Sequence, residues 1–325
     1  MRATISSVVA VGILVLVWRS LGQPVAWRGV QFQAAPIVLA FAGAASFLAA
    51  RAWRYHLLLP DHRPGWNHLL GITAASWGIG LLVPGPSADA SFVGMARNGL
   101  DVSVARATGV SLVGRALDVV SLGAVAVLAS VLSSAHEPRG AVIAAAMAGA
   151  FGAVGLVLVL SSGPRRAVLA WASRFRRVRT WSERTDVALE ALGDRRRVAG
   201  LAASTALCRV STAVEYAALF ALLGFHLGFW QVWFVLAIRS FLTAIPIQGI
   251  AGIGTSQAWW TSALVLEGIA AGDAVAASVT LQVLDLAVAL PLSAAIVALT
   301  TRPAYWRPAT ARYTSAVSAA ARDHV

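Results

Sequence analysis

Long apolar runs alternate with short polar segments along the chain, from its first residues to about residue 300. A helix needs roughly 20 apolar residues to cross a bilayer. The pattern therefore predicts an all-α polytopic membrane protein with about six full transmembrane helices, over residues 3–17, 34–59, 102–133, 140–162, 198–224 and 274–299. The first run is short, and a secretory signal peptide is the alternative for it, although no A-x-A cleavage site follows.

Two further apolar runs are too short to cross the membrane, and a proline stops each of them. Residues 69–83 would be roughly 22 Å long as a helix, and Pro84 and Gly85 end this run before the mildly amphipathic segment 87–98. Broken backbone at membrane depth occurs only where protein or a water-filled cavity satisfies its N–H and C=O groups. We therefore expect a re-entrant hairpin, in which one half-helix enters the membrane and a second returns.

The second interrupted run repeats this arrangement near the C-terminus. Residues 232–245 stop at Pro246, and another short apolar stretch follows at residues 258–266. The break between them contains Gly249, Gly252 and Gly254, followed by Gln257. The loop charges predict that the two hairpins enter from opposite sides, as in transporters built from inverted repeats.

The distribution of arginine predicts the orientation in the membrane. Residues 163–197 hold ten arginines, so the positive-inside rule places this segment in the cytoplasm. Its apolar residues recur at helical spacing, which favours an amphipathic helix bound to anionic lipids of the inner leaflet. A solvated basic loop that only sets the orientation is the alternative. Arg51 and Arg54 likewise mark the cytoplasmic end of the second predicted helix.

A single integral membrane domain, residues 1–325, is the simplest organisation. It consists of a first helical unit (1–162), the cytoplasmic basic loop (163–197), a second helical unit (198–301) and a cytoplasmic tail (302–325). We therefore expect a multi-pass protein of the cell membrane with both termini in the cytoplasm.

Composition agrees with a membrane protein and narrows the chemistry. The chain is 58% hydrophobic and 12% charged, against roughly a quarter charged in soluble proteins. The net charge is +12 and the chain contains arginine but no lysine, which reflects either coding bias or a need for bidentate contacts to phosphate. This charge lies in membrane loops, so it indicates anionic lipid rather than nucleic acid. With one cysteine, Cys208, and scattered histidines, we expect no disulfide, metal site or cofactor.

Charged residues inside the predicted helices are the candidate substrate-binding residues, because such groups are costly in a bilayer and normally face a bundle interior or a cavity. They are Arg115, Asp118, Arg209, Glu215, Arg239 and Asp285, with Asp89 just after the first break. Arg115 and Asp118 share a helical face and can pair, whereas Arg209 and Glu215 do not and should find other partners. The set forms either structural ion pairs or a polar cavity whose arginines receive an anionic headgroup.

Catalytic constellations are lacking in the sequence. It contains no Ser-His-Asp order, no phosphate-binding glycine loop after a strand and no paired-acid motif. An enzyme that acts on a lipid phosphate would need acids to hold a metal, and Asp89 and Asp118 are the only pair near each other. We therefore do not expect an enzyme.

Three short motifs, in this order, resemble the flippase-like integral membrane family, which includes the transmembrane region of lysylphosphatidylglycerol synthases. The family pattern is roughly PGRxGE, then ERxxD, then PxxPGGxGxxE. The residues that carry the resemblance are Pro84, Gly85, Asp89, Arg115, Asp118, Pro246, Gly249, Gly252 and Gly254, within about residues 69–299.

The chain also departs from the family pattern at several charged positions. Pro86 stands where the family has arginine, and Asp89 replaces a glutamate. Gly114 and Gln257 stand where the family has its other two glutamates. The resemblance implies translocation of a lipid with a charged or sugar-bearing headgroup. It does not imply aminoacyl transfer, which in that family belongs to a separate soluble domain.

These observations favour a lipid flippase-like transporter for a phospholipid or a polyprenyl glycolipid whose headgroup carries phosphate. Arg115, Arg239 and Arg209 would bind the phosphate, and the acids would balance them when the site is empty. The alternative is a non-transporting accessory or scaffold subunit of a membrane lipid or polysaccharide synthesis complex, which the departures from the family favour. Such a subunit would associate with a synthase partner or with itself and would move no lipid.

Overall fold

The computed structural model describes residues 30–59, 64–83, 87–132, 150, 195–243 and 254–300. These residues form helices and no strand, so the predicted all-α class is confirmed for this part of the chain. The helices are α1 (Ala34–Leu58), α2 (Trp66–Leu82), α3 (Ser87–Leu100), α4 (Val104–Leu132), α5 (Arg195–Leu222), α6 (Phe229–Thr243), α7 (Thr255–Leu266) and α8 (Ala271–Thr300).

Four of the described helices, α1, α4, α5 and α8, are long and apolar enough to cross a membrane. They correspond to the runs predicted at 34–59, 102–133, 198–224 and 274–299. The other predicted spans, 3–17 and 140–162, lie outside the described residues, as do the tail 302–325 and the basic loop up to residue 194.

The remaining described helices are short and form two hairpins. The first hairpin pairs α2 (17 residues) with α3 (14 residues), and the second pairs α6 (15 residues) with α7 (12 residues). At 1.5 Å per residue these helices are roughly 18–26 Å long, which is less than the hydrocarbon core of about 30 Å. Pro84, Gly85, Pro246, Gly249 and Gly252 belong to the breaks 84–86 and 244–253, outside the described residues.

Contacts along each hairpin show that its helices run antiparallel. In the first, Gly80 lies against Ala88 beside the break, while Gly99 lies against His68 at the open end. In the second, Nε2 of Gln231 donates a hydrogen bond of 3.0 Å to Glu267 at the open end. Each hairpin therefore has one open end and one end at its break.

Helices α1 and α5 pack antiparallel and form the centre of the described structure. At one end of this pair, Leu57 lies against Gly200. At the other end, the backbone N–H of Gln31 donates a hydrogen bond of 2.8 Å to the carbonyl oxygen of Leu222. The first hairpin follows the C-terminal end of α1 and the second follows the C-terminal end of α5, so the two hairpins approach from opposite ends of the pair.

A close backbone approach holds α1 and α5 together. A Cβ atom on Gly43 would lie 2.7 Å from the backbone nitrogen of Glu215 and 2.8 Å from the carbonyl oxygen of Ser211. Small residues are typical of helix contacts in membranes, where close van der Waals packing drives association. Glycine at position 43 is therefore required for this spacing.

Helix α8 contacts both hairpins. Gly78 of the first hairpin faces Ser293, and Ser256 of the second donates a hydrogen bond of 2.6 Å to Gln282. Pro291 lies inside α8, between these two contacts. Proline has no N–H, so one hydrogen bond of the helix is missing at this point.

Candidate functional site

Asp118 of α4 is the centre of a group of buried charges. Arg54 of α1 donates from Nη1 to Oδ1 at 2.9 Å and from Nη2 to Oδ2 at 3.2 Å. Arg209 of α5 also donates to Oδ1 of the same carboxylate. The side chain of Arg54 is only 1% exposed. One carboxylate therefore joins three of the membrane-spanning helices.

A third arginine, Arg51, lies one helical turn before Arg54 and has no carboxylate partner among the described residues. Its Nε donates a hydrogen bond of 3.0 Å to the hydroxyl of Tyr55. Its guanidinium lies 5.3 Å from the ring centroid of Trp77, at a cation–π distance. Arg51 interacts electrostatically with Asp118. We call Arg51, Arg54, Arg209 and Asp118 the arginine cluster, and it places three positive charges around one negative charge.

Arg115 lies at the exposed side of this cluster and pairs with Asp89. Its Nε donates to Oδ2 of Asp89 at 2.9 Å, and the hydroxyl of Ser111 donates to Oδ1 at 2.6 Å. Asp89 lies in the first turn of α3, where the helix dipole favours a negative charge. The pairing of Arg115 with Asp118 that their spacing suggested is wrong, because arginines from two other helices occupy Asp118.

A second charged group lies between α5, α6 and α8. Glu215 and Asp285 are 6% and 7% exposed, and the hydroxyl of Tyr216 donates a hydrogen bond of 3.0 Å to Asp285. Arg239 interacts electrostatically with both acids, and its guanidinium lies 5.1 Å from the ring centroid of Trp260. We call Glu215 and Asp285 the acid pair. Here two negative charges face one positive charge.

The family model described as the lysylphosphatidylglycerol synthase TM region matches residues 4–319. The chain belongs to this family. No curated protein and no solved structure matches the chain. The family and the four long apolar helices show that this is a membrane protein.

One position that departs from the family motif lies directly beside the arginine cluster. Gly114 replaces the glutamate of the family's ERxxD motif, and a Cβ atom there would lie 3.8 Å from Nε of Arg54. That Nε is buried and has no hydrogen-bond partner among the described residues. The cluster therefore has no carboxylate at this position, although a side chain there would start beside Nε of Arg54.

The other departure, Gln257, caps its own helix. Gly254 precedes α7 with a φ of +84°, in the region that favours glycine. Its backbone N–H donates a hydrogen bond of 2.6 Å to Oε1 of Gln257, three residues later. This is the helix-capping half of a capping box. Gln257 is buried and uncharged, so α7 shapes this region without adding a charge.

The structure thus divides the predicted site residues between two groups. Arg209 and Asp118 lie in the arginine cluster, with Arg115 and Asp89 at its exposed side, whereas Glu215, Arg239 and Asp285 lie together in the second group. Arg239 therefore does not join Arg115 and Arg209 around one ligand. Glu215 and Arg209 do not pair with each other, as their spacing predicted: Arg209 donates to Asp118, and Glu215 lies beside Arg239.

Several residues of both groups were not among the predicted site residues. The positive-inside rule interprets Arg51 and Arg54 only as markers of the cytoplasmic end of α1, and their burial results from the packing of other helices over them. Tyr216 and Trp260 are aromatic residues in apolar runs, a pattern typical of core positions. For the arginines, a usable signal was present, since both lie inside the apolar helix rather than beyond its end.

Proposed function

We propose that this protein is a lipid transporter of the flippase type, which moves a lipid with a phosphate-bearing headgroup across the cell membrane. The arginine cluster is the observation that carries the proposal. Buried charges in membrane helices are costly unless they are paired. The surplus of positive charge around Asp118 therefore favours an anionic ligand.

The chemistry of the cluster suits phosphate. A guanidinium group is planar, stays charged and can form two parallel hydrogen bonds to phosphate oxygens. Nε of Arg54 and Nε of Arg209 are buried and have no hydrogen-bond partner among the described residues. Both groups can therefore donate to a ligand without giving up the contacts that their Nη atoms make to Asp118.

Exposure decreases from the outer arginine to the inner one. The side chain of Arg115 is 55% exposed, that of Arg209 is 13% exposed and that of Arg54 is 1% exposed. Arg115 and Asp118 lie three residues apart on one face of α4, so the exposed arginine adjoins the cluster. In the proposed pathway a headgroup meets Arg115 first and then Arg209, while its acyl chains stay in the surrounding lipid.

The opposed hairpins supply the second part of the proposal. We propose that both are re-entrant and that they enter the membrane from opposite sides. Short interrupted helices of this kind form the substrate sites of transporters that work by alternating access. The lysylphosphatidylglycerol synthase family supports a role connected with membrane lipids.

Lipid movement in reconstituted vesicles tests the proposal. The full-length protein is placed in vesicles that contain fluorescent phosphatidylglycerol, and a membrane-impermeant quencher reports the label that reaches the outer leaflet. Arg51→Gln removes surplus positive charge and leaves no carboxylate unpaired, whereas Arg209→Gln removes a direct donor. We expect each to lower the initial rate about tenfold, since a hydrogen bond to a charged group contributes roughly 1.5–3 kcal/mol.

The matched control is Arg97→Gln, which removes an exposed arginine of α3 outside the cluster and should keep the wild-type rate. Wild-type rates in both cluster variants would refute the proposed site. If the wild-type protein moves no lipid and co-purifies with a lipid or polysaccharide synthase, the accessory-subunit alternative is correct instead.

A further inference from the structure

Among the described residues, the two carboxyl groups of the acid pair face one positive charge, that of Arg239. Glu215 projects from α5 and Asp285 from α8, and both are buried. Asp285 accepts a hydrogen bond from Tyr216, whereas the carboxyl group of Glu215 has no hydrogen bond among the described residues. The backbone of α1 at Gly43 lies directly against the backbone nitrogen and Cβ of Glu215.

Each helix around the pair contributes a known set of charged or titratable groups. Helix α5 contributes Tyr216, and α6 contributes Arg239. Helix α7 contributes the ring of Trp260, which contacts Tyr216 at a centroid distance of 4.8 Å, and no titratable group. At Gly43, α1 presents its backbone to Glu215. Within the part of the chain that the structure describes, the pair therefore carries two potential negative charges against the positive charge of Arg239.

Such an arrangement favours the uptake of one positive charge. Two carboxylates that share a buried site do not both ionise, because each disfavours the negative charge of the other. A metal ion is a poor fit, since the guanidinium of Arg239 repels it. Moreover, the described residues contain no group of three or more acidic, histidine or cysteine side chains that could hold a metal ion. A proton needs only one carboxyl oxygen.

We propose that Glu215 and Asp285 form a proton-binding site that couples lipid movement to the movement of protons. A proton taken from water forms an O–H bond on one carboxyl oxygen of the pair and returns to water when that bond breaks. Glu215 is the residue that holds it, because Asp285 is already stabilised by the hydroxyl of Tyr216. The coupling rests on the proposed transport function, whereas the binding of the proton does not.

The coupling follows from the helices to which the charged residues belong. Arg239 belongs to the second hairpin, whereas the two acids belong to the long helices α5 and α8. With Arg239 beside the pair, one proton makes the group neutral. If the hairpin withdraws Arg239, a second proton is required. Proton binding and hairpin position therefore affect each other, and this linkage is reciprocal.

Infrared spectroscopy of the purified full-length protein in lipid nanodiscs tests the proton directly. At neutral pH the wild-type protein should show the carbonyl absorption of a protonated buried carboxyl group. Both Glu215→Gln and Asp285→Asn should lack it, because either variant leaves one acid opposite one arginine and removes the need for a proton. Glu267→Gln, which changes an acid at the open end of the second hairpin, should retain it. Absence of the absorption in wild type, or its persistence in either acid-pair variant, overturns the proton site.

A transport measurement tests the coupling. Vesicles with fluorescent phosphatidylglycerol are given a pH difference of one unit, which is a tenfold ratio of proton concentration. The initial rate of lipid movement in wild type should change by up to about tenfold, whereas the rate in Glu215→Gln should not depend on the pH difference. A wild-type rate that does not depend on the pH difference overturns the coupling. If wild type moves no lipid at all, the transport function and its coupling fail together, and the infrared result still decides the proton site.

Discussion

Arg54 and Asp118, which are 64 positions apart in the chain, form two parallel hydrogen bonds of 2.9 and 3.2 Å. Arg209 donates to the same carboxylate from a third helix. Asp118 therefore offsets charge from α1 and α5 at once, and its loss has a different consequence from the loss of either arginine.

The variant Asp118→Asn should strongly destabilise the protein, because it removes the carboxylate that pairs with the buried Arg54 and with Arg209. Breaking a buried ion pair from one side typically costs about 3–5 kcal/mol, and we expect a loss of this size in the free energy of unfolding. Denaturant unfolding of the purified protein in nanodiscs measures it. Asp89→Asn is the control, since its partner Arg115 is mostly exposed and exposed pairs contribute about 1 kcal/mol or less. Equal losses in the two variants would contradict the central role of Asp118.

Alanine at position 43 should force α1 and α5 apart. The added methyl would lie 2.7 Å from the backbone nitrogen of Glu215, which cannot move as a side chain can. We expect Gly43→Ala to lower the free energy of unfolding by about 1–3 kcal/mol, the usual cost of overpacking. Gly94→Ala is a matched helical control with open space around it, and it should stabilise the protein by about 0.5–1 kcal/mol. Denaturant unfolding in nanodiscs measures both variants, and a Gly43→Ala variant as stable as wild type would rule out the close approach.

Replacements of Gln257 should separate its capping role from the charge that the family has there. Gln257→Leu removes the acceptor of the Gly254 N–H and should cost about 1 kcal/mol of unfolding free energy. Gln257→Glu keeps an acceptor and adds a negative charge at the start of α7, where the helix dipole favours it, so its stability should equal or exceed that of wild type. If both variants lose the same stability, the hydrogen bond is unimportant.

Restoring the family's carboxylate at position 114 should engage Arg54. The position faces Nε of that arginine, which has no hydrogen-bond partner among the described residues. Gly114→Glu and Gly114→Gln add side chains of nearly the same size, so their difference isolates the charge. We expect the free energy of unfolding of the glutamate variant to exceed that of the glutamine variant by about 1–3 kcal/mol. The glutamate variant should also move labelled phosphatidylglycerol more slowly, because the surplus positive charge is reduced. A glutamine variant as stable as the glutamate variant would show that the new carboxylate does not reach Arg54.

Cysteine labelling can test the opposed hairpins in intact cells. Cys208 is the only cysteine of the chain and is buried, so Cys208→Ser gives a clean background. Asn67→Cys lies at the open end of the first hairpin, and Asp273→Cys lies just after the second hairpin, both at exposed positions. A membrane-impermeant maleimide should label position 273 from outside the cell, and position 67 only after the cells are opened. Labelling of both from the same side would disprove the opposed arrangement.

The positions of the helices can be predicted closely from the sequence, because an apolar run in a bilayer has few alternatives to a helix. The run predicted at 34–59 is helix α1 (Ala34–Leu58), and the one predicted at 198–224 is α5 (Arg195–Leu222). The short runs that end at proline are short helices paired in hairpins. Hydropathy and proline positions are local properties, so they can be seen without knowing the fold.

The choice of charge partners could not be predicted in the same way. Spacing along α4 suggested that Arg115 pairs with Asp118, yet each takes its partner from another helix. Partner choice depends on how the helices are rotated and which ones are neighbours, and no local pattern contains this information. The partner of Arg54 shows the same limit, because a position inside the apolar run indicates burial but not which helix supplies the carboxylate.

Pro291 is a point of flexibility in α8 between its contacts with the two hairpins. The first hairpin touches α8 on one side of this residue and the second touches it on the other. Helices bend most easily where a backbone hydrogen bond is missing. We therefore expect a displacement of either hairpin to bend α8 and thereby to displace the other hairpin. The stiffness of α8 at Pro291 then sets how strongly the movements of the two hairpins are coupled.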